Sequence, residues 1–247
     1  MKNLKTTKVL GVNFTNAKKD DILEYVVEKI SRKNKTKADK FFIVTPNPEI
    51  VVKANRDKNF KNVLNSAEIS LADGVGVVIA SKILGEAIQA RITGADFMEN
   101  LCLKLSKQPV MTGFLGGQPG VAESTANCLR EKYLGLRVGY AYHIWEKSRL
   151  QDKKLDILFV AFGAPIQGEW IYKHIQKEDI FCAMGVGGSF DFITGRVSRA
   201  PEAMRRLGFE WLYRLLVQPW RWKRQLALFS FIWLVFKSKT FPQLDQN

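Results

Sequence analysis

No stretch of this 247-residue sequence strings together the ~18 to 20 apolar residues that a membrane span requires. Met1–Val12 also lacks the apolar run of a signal peptide. The expected location is the cytoplasm. Cysteine is scarce: Cys102, Cys128 and Cys182 are far apart, odd in number and embedded in apolar stretches. They exclude a disulfide framework and read as buried thiols of a reducing compartment. Histidine is scarcer still, with His143 and His174 isolated, and there is no HExxH, CxxC or DxD spacing. No metal site and no metal cofactor are therefore expected. A GxGxxG string leading into a helix is missing too, which counts against a nucleotide-binding α/β oxidoreductase. Acidic residues are the last deficit: 24 against 38 Lys and Arg leave a net charge of +14. Such a surplus predicts an anionic partner, whether nucleic acid, anionic lipid or a phosphorylated substrate.

What is present is enough apolar residue, 46% of the chain, to bury a full core. Short runs rich in β-formers recur at Lys8–Val12, Phe41–Val44, Ile69–Leu71, Val110–Leu115, Arg137–Tyr142, Ile157–Phe162 and Ile180–Val186. Helical patterns separate most of them: Lys19–Arg32, Pro48–Ser66 with a break, Gly74–Leu84, Ala95–Lys107, Pro119–Lys132 and Gln167–Gln176. Pro48 and Pro119 suit helix starts, where no amide donor is needed. The alternation predicts an α/β fold, a Rossmann-like, mostly parallel sheet with helices on both faces. Residues 1–207 form the expected catalytic body and residues 208–247 a helical appendage.

Ligands of open α/β sheets sit beyond the carboxyl ends of the strands, so the residues following each strand are the candidates. Asp73 stands between a strand and Gly74-Val75-Gly76, where a carboxylate serves either as a general base facing a cleft or as a helix N-cap. Thr45-Pro46-Asn47-Pro48 opens a helix and reads either as a capped turn or as a holder of an anionic or sugar group. Gly116-Gly117 and Gly187-Gly188 end strands, either as tight turns or as places where a nucleotide packs against main chain.

From Arg196 to Arg224 eight basic residues face two acidic ones, a local charge of +6, interleaved with Trp211, Tyr213, Trp220 and Trp222. Arg214, Arg221 and Arg224 share a face if that stretch is one helix, although Pro219 interrupts it. Leu226–Phe236 is apolar but too short to span a bilayer, which predicts an interfacial helix on an anionic membrane surface. A nonenzymatic nucleic-acid-binding protein accounts for the charge but for neither the strand-end motifs nor this aromatic run.

The strings TPNPEIVVKA (Thr45–Ala54), ADGVGVVIASKILG (Ala72–Gly85), RITGADFM (Arg91–Met98), FLGG (Phe114–Gly117) and GVGGSFDFITGRVSRAPEAMRRLGFEWLYRLL (Gly185–Leu216) follow one another in family order. On them the chain resembles the WecG/TagA/CpsF glycosyltransferases. The resemblance implies a peripheral membrane enzyme on the inner face of the cell membrane. Such an enzyme moves a sugar, with inversion, from a UDP donor to a polyprenyl-diphosphate-linked sugar. The best-studied members pass N-acetylmannosamine or its uronic acid to undecaprenyl-diphosphate-linked N-acetylglucosamine, for teichoic acid or a surface antigen. By motif, Asp73 is the implied base, with Thr45, Asn47 and Gln167 in the same pocket. Arg91 and Asp191 are the implied contacts to the donor nucleotide, and Arg214, Arg221 and Arg224 close over the diphosphate. Self-association is also implied. The family's PKQE string is here Pro165-Ile166-Gln167-Gly168, a departure that bears on sugar recognition.

Overall fold

The computed structural model describes residues 4–150, 154–219 and 222–241, and for residues 223 and 224 the backbone alone. Its centre is a six-stranded sheet in the order β4-β3-β8-β7-β5-β6. These strands are Phe41–Val44 (β3), Ile69–Ser70 (β4), Met111–Gly116 (β5), Arg137–Tyr142 (β6), Leu155–Ala161 (β7) and Ile180–Gly185 (β8), and every pairing among them is parallel. A parallel sheet buried on both faces needs continuous apolar strands, and β3 (Phe-Phe-Ile-Val) and β8 (Ile-Phe-Cys-Ala-Met-Gly) are buried throughout.

Alternate side chains feed two cores. Ile43, Phe114, Phe159 and Met184 point to one face, where Lys19–Ser31 (α1), Gly94–Leu105 (α5), Val121–Lys132 (α6) and Ser189–Ile193 (α8) pack. Phe42, Val44, Leu158 and Ala183 point to the other, covered by Pro48–Arg56 (α2), Lys58–Asn65 (α3), Val75–Ile83 (α4) and Ile166–His174 (α7). The chain steps outward from β3 to the edge strand β4 and, elsewhere, from β5 to the opposite edge strand β6. Right-handed crossovers in opposite directions put their helices on opposite faces, as found for α2 and α3 against α6.

Several boundaries follow local chemistry. Asn47 caps α2, its side chain accepting from the Ile50 amide, with Pro48 as the first helical residue. The expected break in the following helix falls at Asp57, which ends α2 and caps α3 by accepting from the Phe60 amide at 3.1 Å.

Two expectations fail. Lys8–Val12 is no strand of the main sheet. Thr6–Val9 (β1) and Val12–Thr15 (β2) form a separate antiparallel hairpin. Its two-residue turn has Leu10 at φ 50° and Gly11 at φ 76°, the positive pair that a tight hairpin of right-twisted strands demands. Pro119 does not open α6, because the left-handed Gly120 (φ 82°) intervenes and the helix begins at Val121. The interruption expected at Pro219 falls between Glu210–Val217 (α10) and Trp222–Thr240 (α11), with Glu202–Leu207 (α9) a separate helix before them. Arg214 therefore lies on a different helix from residue 224, whose side chain, like the whole of Arg221, lies outside the described residues.

The appendage turns back onto the body. Phe231 and Val235 of α11, one turn apart, are 2% and 3% exposed and join the core beneath α2 and α4. Among the described residues no helix is long and apolar enough to cross a membrane.

Phe114 sits where the sheet meets α8, stacked on Phe159 at 5.5 Å and edge-on to Phe190 at 5.9 Å. Phe114→Ala should lower unfolding stability by about 3–5 kcal/mol. The measurement is the denaturant midpoint, with the slope of the transition unchanged.

Candidate active site

β4, β3, β8 and β7 are consecutive in the sheet, so their carboxyl ends form one rim. The structure brings Asp73, Thr45, Asn47, Gly187, Gly188 and Gln167 to that rim.

Asp73 follows β4, and its own amide donates to the Pro46 carbonyl at 3.1 Å, tying the loop to the turn after β3. It does not cap the helix that follows: Gly74, at φ 112°, holds the N-cap position of α4 and contributes no side chain. The Asp73 carboxylate instead accepts from the Gly94 amide at 3.2 Å, the first residue of α5. It is half-buried. Burial raises its pKa to about 6. The Gly94 amide opposes that rise, Glu210 adds to it, Arg91 opposes it and Asp96 adds to it. The result is a carboxyl poised near neutrality on a strand-end rim, where a base must lose and regain a proton.

The neighbouring polar groups hold main chain. The buried Thr45 hydroxyl donates to the Gly185 carbonyl at 3.2 Å, and the methyl of Thr45 packs where a Cβ on Gly94 would stand, 3.0 Å away. Asn47 caps α2. The Gln167 side-chain oxygen accepts from the amides of Gly163 at 3.2 Å and Gly187 at 2.9 Å, bracing the loops after β7 and β8 against each other. Gly116-Gly117 lies apart, at the end of β5 beyond β7. A Cβ on Gly116 would lie 2.9 Å from the Ala161 main chain, and the Gly117 amide donates to the Ala161 carbonyl. Close strand packing thus accounts for that pair.

The C-terminal segment arrives from the other side of the rim. The turn between α9 and α10 uses Gly208 at φ 83°, where a Cβ would stand 2.8 Å from that of Val75, two residues beyond Asp73. From α10 the Arg214 guanidinium lies 4.5 Å from the Phe192 ring, and one of its amino groups lies 3.2 Å from where a Gly188 Cβ would be. Asp191, the third residue of α8, is half-buried nearby, its carboxylate 3.9 Å from that same point. Arg91 donates to the Arg205 carbonyl at 2.5 Å, fastening α9 to the body.

Sequence reasoning overlooked four charged groups and a ring in this cluster: Asp96, Phe192, Arg199, Arg205 and Glu210. Asp96 receives Arg199 Nη1 at 2.7 Å and the Thr93 hydroxyl at 2.5 Å, with Arg205 Nη1 at 3.8 Å. Burial works against its ionisation, but the bonds from Arg199 and Thr93 outweigh it and hold the Asp96 carboxyl below the usual range. The Thr93-x-x-Asp96 spacing signals a helix start; nothing in the spacing pairs it with Arg199, 103 residues on.

Comparison with known proteins agrees with this architecture. The family described as "Glycosyl transferase WecG/TagA/CpsF family" matches residues 7–244. The N-acetylglucosaminyldiphosphoundecaprenol N-acetyl-beta-D-mannosaminyltransferase of Bacillus spizizenii is 36% identical over 202 residues, covering 79% of each chain. The protein of the same name in Bacillus subtilis is 34% identical over 220 residues, 83% of this chain and 85% of the relative. Its namesake in Staphylococcus aureus is 32% identical over 249 residues, 96% and 94% of the two chains. With a match that runs through the body and the appendage alike, this chain belongs to the WecG/TagA/CpsF family of glycosyltransferases.

Proposed function

We propose that this enzyme transfers N-acetylmannosamine from a UDP donor to N-acetylglucosaminyl-diphosphoundecaprenol, as its relatives' names describe for the acceptor and the sugar. The observation that carries the mechanism is the Asp73 carboxylate, anchored by one amide on the rim and raised to about 6. In a single displacement, Asp73 takes the proton of the acceptor hydroxyl as that oxygen attacks the anomeric carbon. The bond from that carbon to the UDP oxygen breaks with inversion. The donor lies along the rim from β4 to β8, against Arg91, Asp191, Gly187 and Gly188. Arg214 faces the charge that develops on the departing diphosphate, and fixed cations in a cleft shielded from water act most strongly there. Arg221 and Arg224 belong to the same proposed function; their side chains lie outside the described residues. Thr45, Asn47 and Gln167 act by holding the rim's backbone in place.

The acceptor is a lipid, and α11 suits a membrane surface. While Phe231 and Val235 face inward, Trp222, Leu226, Phe229, Trp233 and Phe236 are exposed along the helix at spacings of three and four. A helix with a second, solvent-facing apolar stripe and adjoining cations fits the headgroup boundary. Lys237 lies 5.2 Å from the Trp233 ring, an amphipathic pairing suited to that depth. We place the enzyme on the inner face of the membrane, with the appendage handing the acceptor to the rim.

In a donor screen with UDP-sugars and a short-chain polyprenyl-diphosphate acceptor, Asp73→Asn should cut turnover by about 10² or more. Near-normal turnover would discard the base. The same variant should melt no lower than the parent at pH 8. A carboxyl whose folded pKa lies above its unfolded value withdraws stability as pH rises from about 4 to about 6, so its removal costs nothing above that window. For the parent enzyme, kcat should climb with pH along an acidic limb centred near 6, where Asp73 becomes the carboxylate. A flat profile between pH 5 and 7, with chemistry limiting, contradicts this. Truncation after Leu207 should abolish both transfer and sedimentation with anionic vesicles; a truncated chain that still sediments removes the anchoring role.

A further inference from the structure

Arg199 occupies a position that no role above explains. It lies between α8 and α9 and reaches three elements at once. Nη1 bonds Asp96 of α5 at 2.7 Å. Nε faces Glu210 Oε1, at the start of α10, at 3.9 Å. The guanidinium carbon lies 5.5 Å from the Phe192 ring of α8. The head is largely enclosed, yet among the described residues its buried Nε and Nη2 have no hydrogen-bond partner. Unsatisfied buried donors oppose stability, so stability alone does not explain a guanidinium enclosed here.

Its task can be read from what it joins. Asp96 is the third residue of α5, whose first residue, Gly94, supplies the amide that holds Asp73. Glu210 opens α10, the helix that carries Arg214 to Gly188. Between them, Gly208 rests on Val75 and Arg91 holds the Arg205 carbonyl, so the seated segment closes a ring of contacts around the Asp73 loop. Resting on the reading of Asp73 as the base, we propose that Arg199 is a positioning residue, a clasp that fixes the first turn of α5 only while α9 and α10 are seated. The base then adopts its working geometry in the state that also presents Arg214. The charged groups facing this arrangement are Arg91 beside Asp73, Asp96 and Glu99 on α5, Arg205 on α9, and Glu210 and Arg214 on α10. The device restricts proton abstraction to an enzyme whose lipid-handling segment is in place, so an unseated enzyme does not activate water against its donor.

The test uses the full chain with R199Q and, as a variant that leaves the buried arginine intact, E210Q. Hydrogen exchange is followed in peptides covering residues 91–98 and 208–217, and transfer kinetics in the assay above. The expected result for R199Q is exchange at least 3-fold faster in both segments together. Turnover should fall at least 10-fold with the donor KM within 3-fold. E210Q should loosen the same two segments, and the two substitutions combined should lose less activity than the product of their separate losses. Faster exchange in residues 208–217 alone, with 91–98 unchanged in both variants, overturns the clasp. So does a raised donor KM with turnover intact, which makes Arg199 a donor contact. If R199Q does not fold, E210Q decides by the same criteria. The exchange readout involves no chemistry, so an active Asp73→Asn enzyme would remove the base while leaving the clasp to be judged on exchange.

Discussion

A single contact organises the strand-end rim of this molecule: the amide of Gly94 against the carboxylate of Asp73. A carboxylate drawn out of water takes up a proton unless something compensates it. One amide at 3.2 Å and the nearby Arg91 compensate only in part, because Glu210 and Asp96 push the other way. Stronger compensation would leave a permanently ionised, weakly basic group, and none would leave a neutral acid. The amide belongs to the first residue of α5, where Thr93 and Arg199 bond Asp96 and the Thr45 methyl packs against Gly94.

The C-terminal segment is built into this arrangement rather than hung beside it. Gly208 packs against Val75, Arg91 holds the Arg205 carbonyl and Arg214 lies over Phe192. Further on, α11 divides its apolar residues between two opposite sides, Phe231 and Val235 inward and a longer stripe outward. A helix apolar on both sides needs two partners. The body supplies one, and in the proposed function the membrane supplies the other.

Where pattern met structure, agreement depended on how local the physics was. Phe41–Val44 and Arg137–Tyr142 fall where their composition puts them, and Asn47-Pro48 caps and starts a helix as its chemistry requires. The N-terminal hairpin escaped because its turn residue Leu10 has a positive φ that side-chain type does not advertise. Pro119 misled because a proline suits the turn before a helix as well as its first residue. By position alone Asp73 read first as a helix cap and then as a base, since both roles place a carboxylate between strand and helix. The structure excludes the cap, because Gly74 holds that position and the carboxylate accepts from Gly94, 21 residues away.

The amino-acid sequence by itself determined the parallel α/β architecture, the basic aromatic appendage and the family, because periodicity, composition and contiguous strings are properties of neighbours along a chain. It also nominated Asp73, Thr45 and Asn47, since strand ends are legible wherever strands are, and Gln167 through the family resemblance. Only the tertiary structure decided which nominees hold backbone and which presents a titratable group. It alone revealed that Asp96, Arg199 and Glu210 belong to the same assembly. A pKa depends on burial and on charges a few ångströms away, and those neighbours come from β4, α5 and α10, segments that meet only when the sheet is ordered and the chain's last third folds back across its rim.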